Sequence, residues 1–551
     1  MGIENLPDDV SLDENNVLSC SGEYEVTTRG IGYEFFNSIK KNRRRVAQYI
    51  AETEEIDTYE SLLKRSVRTA LHLKERNLTE DDVVCLCSYN QIHSCVPFLA
   101  CMFLGIKVAS LDPSFTHADA SHLIKLVKPK IMFIVPEVLE MMMLAVEEAE
   151  INCELVLYGD DVDTNTSTPF NDFLEPHDDE DIFTPVEIDD PTETIVIFFS
   201  SGTTGLPKGI CSSHKSIYHQ GNLTNYAGII NSNSIIVLFS TLYWVSAVLH
   251  LSGTILCGAA RLICRSFDPN DLWIYLDKYK VTYCFLAPIQ GYQMIAAGRP
   301  DDIDTSSLTG LVTGGALFFS NKLSELRDLL PGAFVFQAFG MTEVSGLSTI
   351  FNLNKTKDRL LLHYRPASCG RPVPGFNYKI VDPENDTNCG PNERGELRIQ
   401  SEFILNGYYN QDSSDAYDSD GWLRTGDIAY YDEDMCFYIV GRTKEMLKYR
   451  SWHVPPATLE NVLEDHPAIK QSIVIGIPDE VDGDHPMALI ILNESYQEEV
   501  SEEEIQEFVA ERVNDTHKLR GGVKFLDSFP LTPTGKVKRK ELKEMVVDGV
   551  I

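Results

Sequence analysis

The sequence predicts an α/β protein, with a large N-terminal domain of doubly wound sheets followed by a small α+β domain. The first observation is length: 551 residues far exceed the roughly 100–200 that one domain usually holds. The second is patterning, because short apolar runs of strand length alternate with stretches of helical spacing through the first half, as in parallel sheets built from βαβ units. The third is a helix, strand, helix succession after Lys448, visible at 473–477, 488–492 and 503–513.

Taken in order, residues 1–46 read as polar and irregular. Apolar residues at helical spacing fill 58–73, and the run Val83–Cys87 reads as a strand. A buried helix and strand follow at 95–108, a turn at Asp112-Pro113, and short strands at 131–135 and 155–158. Residues 174–193 carry nine acids and no Lys or Arg, broken by Pro176, Pro185 and Pro191, which reads as a solvated loop. The apolar run Thr194–Phe199 then feeds 200–209, and His214–Tyr226 reads as a helix whose first amides would add to an anion site. Tyr243-Trp244 sit in the apolar stretch 235–249, where a tryptophan is equally at home in a core.

Composition bounds the function. Hydrophobic residues at 43% and charged residues at 24% are those of a globular protein. Asp and Glu number 83 against 47 Lys and Arg, a formal charge of -36 that repels nucleic acid and anionic lipid. Thirteen scattered cysteines show no zinc spacing and read as free thiols in a reducing compartment. Without a secretory signal or an apolar run near ~20 residues, the expected location is intracellular. The last residues, Gly549-Val550-Ile551, are not the SKL-like tripeptide of peroxisomal import, which leaves cytoplasm and peroxisome both open.

The stretch 200–209, SSGTTGLPKG, has the makings of a phosphate cradle. Gly202, Gly205 and Gly209 let backbone approach an anion, Ser200, Ser201, Thr203 and Thr204 offer hydroxyls, and Lys208 offers a cation. An ordinary turn is the alternative, since Gly, Ser and Thr fill turns anyway. It is not a Walker A loop, because Pro207 precedes Lys208 and Gly209 follows it. Downstream, Thr313-Gly314-Gly315-Ala316 ends a strand where backbone can meet a flat ring, and Asp427 follows Gly426 in a turn, a carboxylate able to accept from vicinal hydroxyls.

In sequence order, 200–209, Gln337-Ala338-Phe339-Gly340-Met341-Thr342-Glu343, Gly395-Glu396-Leu397, Asn406-Gly407-Tyr408, 421–434, Gly441-Arg442-Thr443-Lys444 and Thr534-Gly535-Lys536 resemble the signatures of the acyl-adenylate-forming superfamily. This group includes acyl-CoA and 4-coumarate:CoA ligases, beetle luciferases and peptide-synthetase adenylation domains, and the chain is most similar to the luciferase and 4-coumarate:CoA ligase branch. The resemblance implies a large AMP-binding domain over 1–443 and a small mobile domain over 444–551 that covers the active-site cleft, hinged at Lys444. It implies ATP, Mg²⁺ and CoA as cofactors, and an acid–thiol ligase that converts a carboxylic acid to an acyl-adenylate and then to a thioester.

By the same resemblance, residues 200–205 and Lys208 hold phosphates, while Gly314, Gly315, Phe339 and Gly340 receive adenine. Thr342 contacts the α-phosphate, Glu343 holds Mg²⁺, and Asp427 and Arg442 bind ribose. Lys536 serves adenylation, Lys448 the second step, and Trp244 the acid pocket. Four departures stand out: Phe339 replaces a tyrosine, Ser401 and Ser451 replace glycines, and Trp244 stands where luciferases have a histidine. Ser401 and Ser451 keep open a nucleotide-binding protein with impaired turnover, and a luciferase using the same adenylation is the other alternative, which the missing histidine at Trp244 disfavours. The run Lys538-Arg539-Lys540 reads as a solvated helix face.

Overall fold

Two seven-stranded sheets form the frame, each parallel except for one antiparallel edge strand. They belong to a computed structural model that describes residues 6–159, 163–199, 207–450, 452–479, 481–493, 496, 500–531 and 536–551. The first sheet runs Gly209–Ser213, Thr194–Phe199, Lys107–Leu111, Val83–Cys87, Ile131–Ile134, Glu154–Leu157, Thr168–Pro169. The second runs Phe334–Gln337, Gly310–Thr313, Tyr283–Leu286, Ile235–Leu238, Ala260–Ile263, Val46–Ile50, Ile56–Thr58. Val83–Cys87 is buried at every position, as a strand covered on both faces must be, which is why it is a continuous apolar run. The stretch 235–249 divides into the strand Ile235–Leu238 and the start of the helix Val245–Cys257.

A third sheet is six-stranded and antiparallel: Val10–Leu12, Leu18–Cys20, Asn377–Val381, Gly395–Gln400, Leu423–Tyr431, Phe437–Arg442. Its first two strands correct the reading of residues 1–46 as irregular, and so does the helix Ile31–Lys41, which buries Ile31, Phe35, Phe36 and Ile39. The physical reason lies in remote partners. Arg371, 2% exposed, donates twice to Asp8 at 2.8 and 2.6 Å and once to Asp358 at 3.0 Å, and Lys357 reaches Asp8 at 2.5 Å. The acidic loop 174–193 is also more anchored than its composition implies: Glu180 pairs with Arg68 at 2.7 Å, and the Val186 amide donates to the Phe103 carbonyl.

The C-terminal part has its own sheet, Trp452–Val454, Leu447–Tyr449, Gly483–Leu492, Ile469–Asp479, with Gly522–Phe525 parallel to Gly483–Leu492. Residues 473–477, expected as helix, lie instead in the strand Ile469–Asp479, whose β-branched residues alternate between two faces, as the residues of its antiparallel partner do. Val474 and Ile490 face a core with Leu459, Leu463, Ile505 and Val509, whereas Ile473, Ile475 and Leu489 face Phe529 and Leu542. This period of two places the helices Pro456–Leu463 and Glu502–Ala510 on one face and Arg539–Val547 on the other. The Asn321 side chain, on the helix Ser320–Leu329, bridges to this part by donating to the Glu464 carbonyl and to Asp465 Oδ1 at 3.3 and 3.2 Å. All thirteen cysteines are free thiols, and no described helix is long and apolar enough to cross a membrane.

The clamp on Asp8 yields a stability test. Burial pushes the Asp8 carboxyl up, but Arg371 and Lys357 outweigh it and hold it at about 2. The folded value lies below the unfolded ~3.9, so its stabilisation is present above about pH 4 and is lost as pH falls through 2. Arg371→Met strands the buried Asp358 and should cost about 3–5 kcal/mol in urea unfolding at pH 7. It should also flatten the acid limb of the stability–pH curve.

Candidate active site

The phosphate-loop residues Ser200, Ser201, Gly202, Thr203, Thr204 and Gly205 lie outside the described residues, but their frame does not. The chain leaves the first sheet at Phe199 and re-enters at Gly209, directly opposite in the antiparallel register. The Pro207 carbonyl accepts from His122 Nε2 at 2.9 Å, and the Lys208 ammonium stands 4.4 Å above the Tyr408 ring. The return strand is zipped to 406–409. The Tyr409 amide donates to the Gly209 carbonyl, the Cys211 amide to Gly407 and the Asn406 amide to Cys211, at 2.7, 3.0 and 2.8 Å. One residue earlier, the Leu405 amide donates to the Glu343 carbonyl at 2.8 Å, so a short backbone path joins Lys208 to Glu343.

The helix His214–Tyr226 forms as the periodicity predicts, yet its N-terminus does not add to that loop. The strand Gly209–Ser213 intervenes, and its five residues carry the chain roughly 16 Å away at ~3.3 Å per residue. The first amides are already used: His214 and Lys215 donate to the carbonyls of Glu193 and Pro191, and Ser216 to the Ser213 hydroxyl. Such a capped end has no donors left for an anion.

Gly314-Gly315 and Ala338-Phe339 leave adjacent parallel strands side by side, with Thr313 opposite Gln337 and the Ala338 amide on the Thr313 carbonyl at 2.9 Å. They therefore emerge at the carboxyl end of the second sheet, where open α/β sheets bind ligands. A Cβ on Gly340 would come within 2.2 Å of the Gly346 carbonyl, so only glycine lets the strand Phe339–Met341 approach its neighbour Gly346–Ile350. A 3₁₀ turn over Thr342–Val344 then turns Thr342 and Glu343 out of the sheet. Trp244 is half-buried, edge-on to Tyr243 at 5.3 Å, and Val245, Leu249, Phe285, Phe339 and Met341 are likewise half-buried apolar residues.

Asp427 and Arg442 face each other across neighbouring strands of the antiparallel sheet, with Nε to Oδ1 at 3.0 Å. Asp427 is only 7% exposed. Burial raises its carboxyl, and the charges of Arg442 and then Lys536 work against that rise. Burial likewise raises Glu343, opposed by Arg442 and Lys536, with the nearby Asp427 adding to the rise. Burial and Arg442 lower Lys536, while Asp427, Glu343 and Glu445 favour its charge. The cleft thus gathers three carboxylates around two cations, and Lys536 comes to it from the C-terminal part. Lys448 is not brought there. It is exposed on Leu447–Tyr449, where its amide donates to Asp484 Oδ2 at 3.1 Å. Lys444 is exposed in the turn Thr443–Glu445.

Three participants had no role assigned from sequence. Tyr408 carries the ring beneath Lys208, and burial and then Glu343 push its phenol up to about 12. Glu445 completes the acid set, and His122 holds Pro207. Only Tyr408 left a signal, through the Asn406-Gly407-Tyr408 motif. Arg539 corrects the reading of Lys538-Arg539-Lys540 as a solvated face: Lys538 and Lys540 are exposed, but Arg539 is paired with Glu460 at 2.5 Å.

Two parallel-sheet frames, strand ends that leave the second of them side by side, and a charge cluster fed from a smaller C-terminal part are the architecture of adenylate-forming enzymes. The chain belongs to the AMP-binding enzyme family, which matches residues 35–409, with the AMP-binding enzyme C-terminal domain matching 458–536. It is 31% identical to luciferin 4-monooxygenase of Photuris pensylvanica over 90% of this chain and 91% of that one. With 4-coumarate–CoA ligase-like 9 of Arabidopsis thaliana it shares 28% identity, over 89% and 85%. Among solved structures, the luciferase-like enzyme of the nonluminescent Zophobas morio mealworm is 36% identical, with a TM-score of 0.73 over 78% of this chain and 99% of that one.

The glycines offer a check on this geometry. Gly340→Ala must force two strands apart and should cost about 1–3 kcal/mol in urea unfolding. At Gly315, φ is +92 and open space surrounds the Cβ position, so Gly315→Ala should cost only about 1 kcal/mol.

Proposed function

We propose that the protein activates a small carboxylic acid with Mg·ATP, forming an acyl-adenylate and pyrophosphate, and then transfers the acyl group to CoA. The observation that carries this reading is the presence of Lys536 in the same charged cleft as Glu343, Asp427 and Arg442. In the first step a carboxylate oxygen bonds to the α-phosphorus while the bond to the bridging oxygen breaks and pyrophosphate leaves. Two anions must meet, so the barrier is largely electrostatic and no side-chain nucleophile is needed. Lys536 lies between the incoming carboxylate and the α-phosphate, Thr342 orients that phosphate, and Lys208 and residues 200–205 hold the leaving group.

Adenine stacks on Phe339 against Gly314, Gly315 and Gly340, and the ribose hydroxyls bind Asp427 beside Arg442. Glu343, a carboxylate at the cleft beside Thr342, fits Mg²⁺, a hard cation that takes one or two protein carboxylates and completes its shell with phosphate oxygens and water. Bound there, the ion neutralises phosphate charge. The acid lies along the half-buried apolar residues beside Trp244. In the second step the CoA sulfur bonds to the acyl carbon and AMP leaves. Lys448 serves that step, after a rotation about Lys444 of a small domain spanning 444–551 against a large one spanning 1–443.

Ser451 stands where the ligases have a glycine that lines the thiol path, and a side chain there would make transfer to CoA slow or selective, whereas a residue as small as serine also allows normal transfer. A second reading, light emission from a luciferin by the same adenylation followed by O₂, is favoured by the luciferin 4-monooxygenase relatives. Against it stand the relative named as coming from a nonluminescent mealworm and the tryptophan at position 244. Light from luciferin, ATP and Mg²⁺ decides between them.

Acid-dependent exchange of labelled pyrophosphate into ATP, run over a panel of aliphatic and aromatic acids, tests the first step, and its absence with every acid would overturn the reading. Lys536→Ala should lower exchange by about 10²–10³ while ATP affinity stays within about twofold. Ser451→Gly should raise the yield of acyl-CoA per acyl-AMP formed, and an unchanged ratio would remove any role for Ser451.

A further inference from the structure

Lys536 lies on a loop whose return is pinned tightly to the C-terminal core. Val537 bridges to Leu531, and the Lys538 amide donates to the Pro530 carbonyl at 2.9 Å. The next residue, Arg539, opens the helix Arg539–Val547 and turns its guanidinium inward. It grips Glu460 on the helix Pro456–Leu463 with two bonds, Nη1 to Oε1 at 2.5 Å and Nη2 to Oε2 at 2.9 Å. Nη1 also reaches the Val474 carbonyl at 3.1 Å, and the Val474 amide donates back to Glu460 Oε1 at 2.7 Å. The Glu460 side chain is 3% exposed, so this is a buried, two-pronged pair of the kind that fixes orientation.

The remaining edge of the guanidinium faces the cleft. Arg539 Nε is 3.6 Å from Glu445 Oε2, in the turn that joins the antiparallel sheet to the C-terminal part. Glu445 is one of the carboxylates whose charge acts on Lys536. Arg539 is therefore fixed to the small core on one side, adjoins the cleft carboxylates on another, and is three residues from Lys536. A flexible lysine delivers a cation to a transition state only if its backbone is held, because a displacement of about 1 Å can cost ~10²-fold in rate.

From this geometry we infer that Arg539, through its ion pair with Glu460 and its contact with Glu445, is a positioning residue that presents Lys536 to the cleft for adenylation. The inference rests on the function proposed above, and it predicts an asymmetry between the two chemical steps. Lys536 acts in the first step and Lys448 in the second, so a defect transmitted through Lys536 must spare the second.

Arg539→Gln and Glu460→Gln should each lower acid-dependent pyrophosphate exchange about 10–100-fold in kcat. KM for ATP and the conversion of supplied acyl-AMP and CoA to acyl-CoA should both stay within about twofold. Arg539→Lys keeps the charge but loses the fork, and should recover part of the loss. In a Lys536→Ala background, Arg539→Gln should have no further effect on exchange, since the group it positions is gone. Equal losses in both half-reactions, or a loss that multiplies with that of Lys536→Ala, would overturn the inference, because either marks a general weakening of the small domain.

A readout that needs no substrate acid separates this inference from the proposed function. Amine-reactive footprinting of the full chain by mass spectrometry should show Lys536 protected relative to the exposed Lys538 and Lys540. Arg539→Gln should abolish that protection without changing the labelling of Lys524 in the core strand Gly522–Phe525. Unchanged protection overturns the positioning role even if the enzyme is active. Loss of protection at Lys536 alone supports it even if no acid in the panel is a substrate.

Discussion

The site depends on holding like charges together in a poorly solvated cleft. Asp427 is almost wholly buried, and Glu343 and Glu445 act electrostatically on the same Lys536. Burial alone drives such carboxyls toward the neutral form, and their mutual repulsion adds to this. Arg442 and Lys536 oppose that rise at Asp427 and Glu343, and the two differ in origin: Arg442 lies one strand from Asp427, whereas Lys536 arrives from the far end of the chain. The cleft is complete when the small C-terminal part is in place, so the charge balance of the site is also a force between the two parts of the molecule.

The scaffold supplies this arrangement through sheet ends. Parallel strands all point the same way, so Gly314-Gly315 and Ala338-Phe339 leave the second sheet together, and the loop after Phe199 leaves the first sheet at its edge. The antiparallel sheet does a different job, presenting Asp427 and Arg442 as cross-strand neighbours whose spacing is set by the pleat. Tyr408 and Leu405 then join the first frame to the second, one under Lys208 and the other on the Glu343 carbonyl. In a protein with a formal charge of -36 an anionic nucleotide needs local cations, and on the proposed reading Lys208, Arg442 and Lys536 supply them.

The candidate stretches and the strand pattern were legible in the chain because their signals are local. Residues 200–209 and 337–343 and the carboxylate after Gly426 each pack unusual residues into one short stretch, and the strand pattern follows from apolar runs such as Val83–Cys87. What escaped was pairing at long range. Arg539 reads as one of three basic residues until Glu460, 79 positions away, is found beneath it, and Asp8 reads as an acid in a polar tail until Arg371, 363 positions on, grips it. Nothing local marks either pair. The helix His214–Tyr226 failed as an anion site for a related reason: its periodicity gave its bounds, but only the register of Gly209–Ser213 shows where its first amides point.

The small part also carries an internal opposition. Lys448 lies on the strand Leu447–Tyr449 and Lys536 on the loop before the helix Arg539–Val547, and both are tied to one five-stranded sheet through two interlocking cores. On the proposed reading this unit turns as a body, since native packing resists internal shear. With Lys536 in the cleft, Lys448 is exposed outside it, so bringing Lys448 in requires Lys536 to leave and the carboxylates around it to lose a counter-ion. Were the proposed reaction to run there, the loss would be tolerable once pyrophosphate had gone, because the cleft would then hold less negative charge than it did with ATP. On the proposed reading, release of the leaving group is what frees Lys536, and the order of the two steps follows from the charge balance of the cleft.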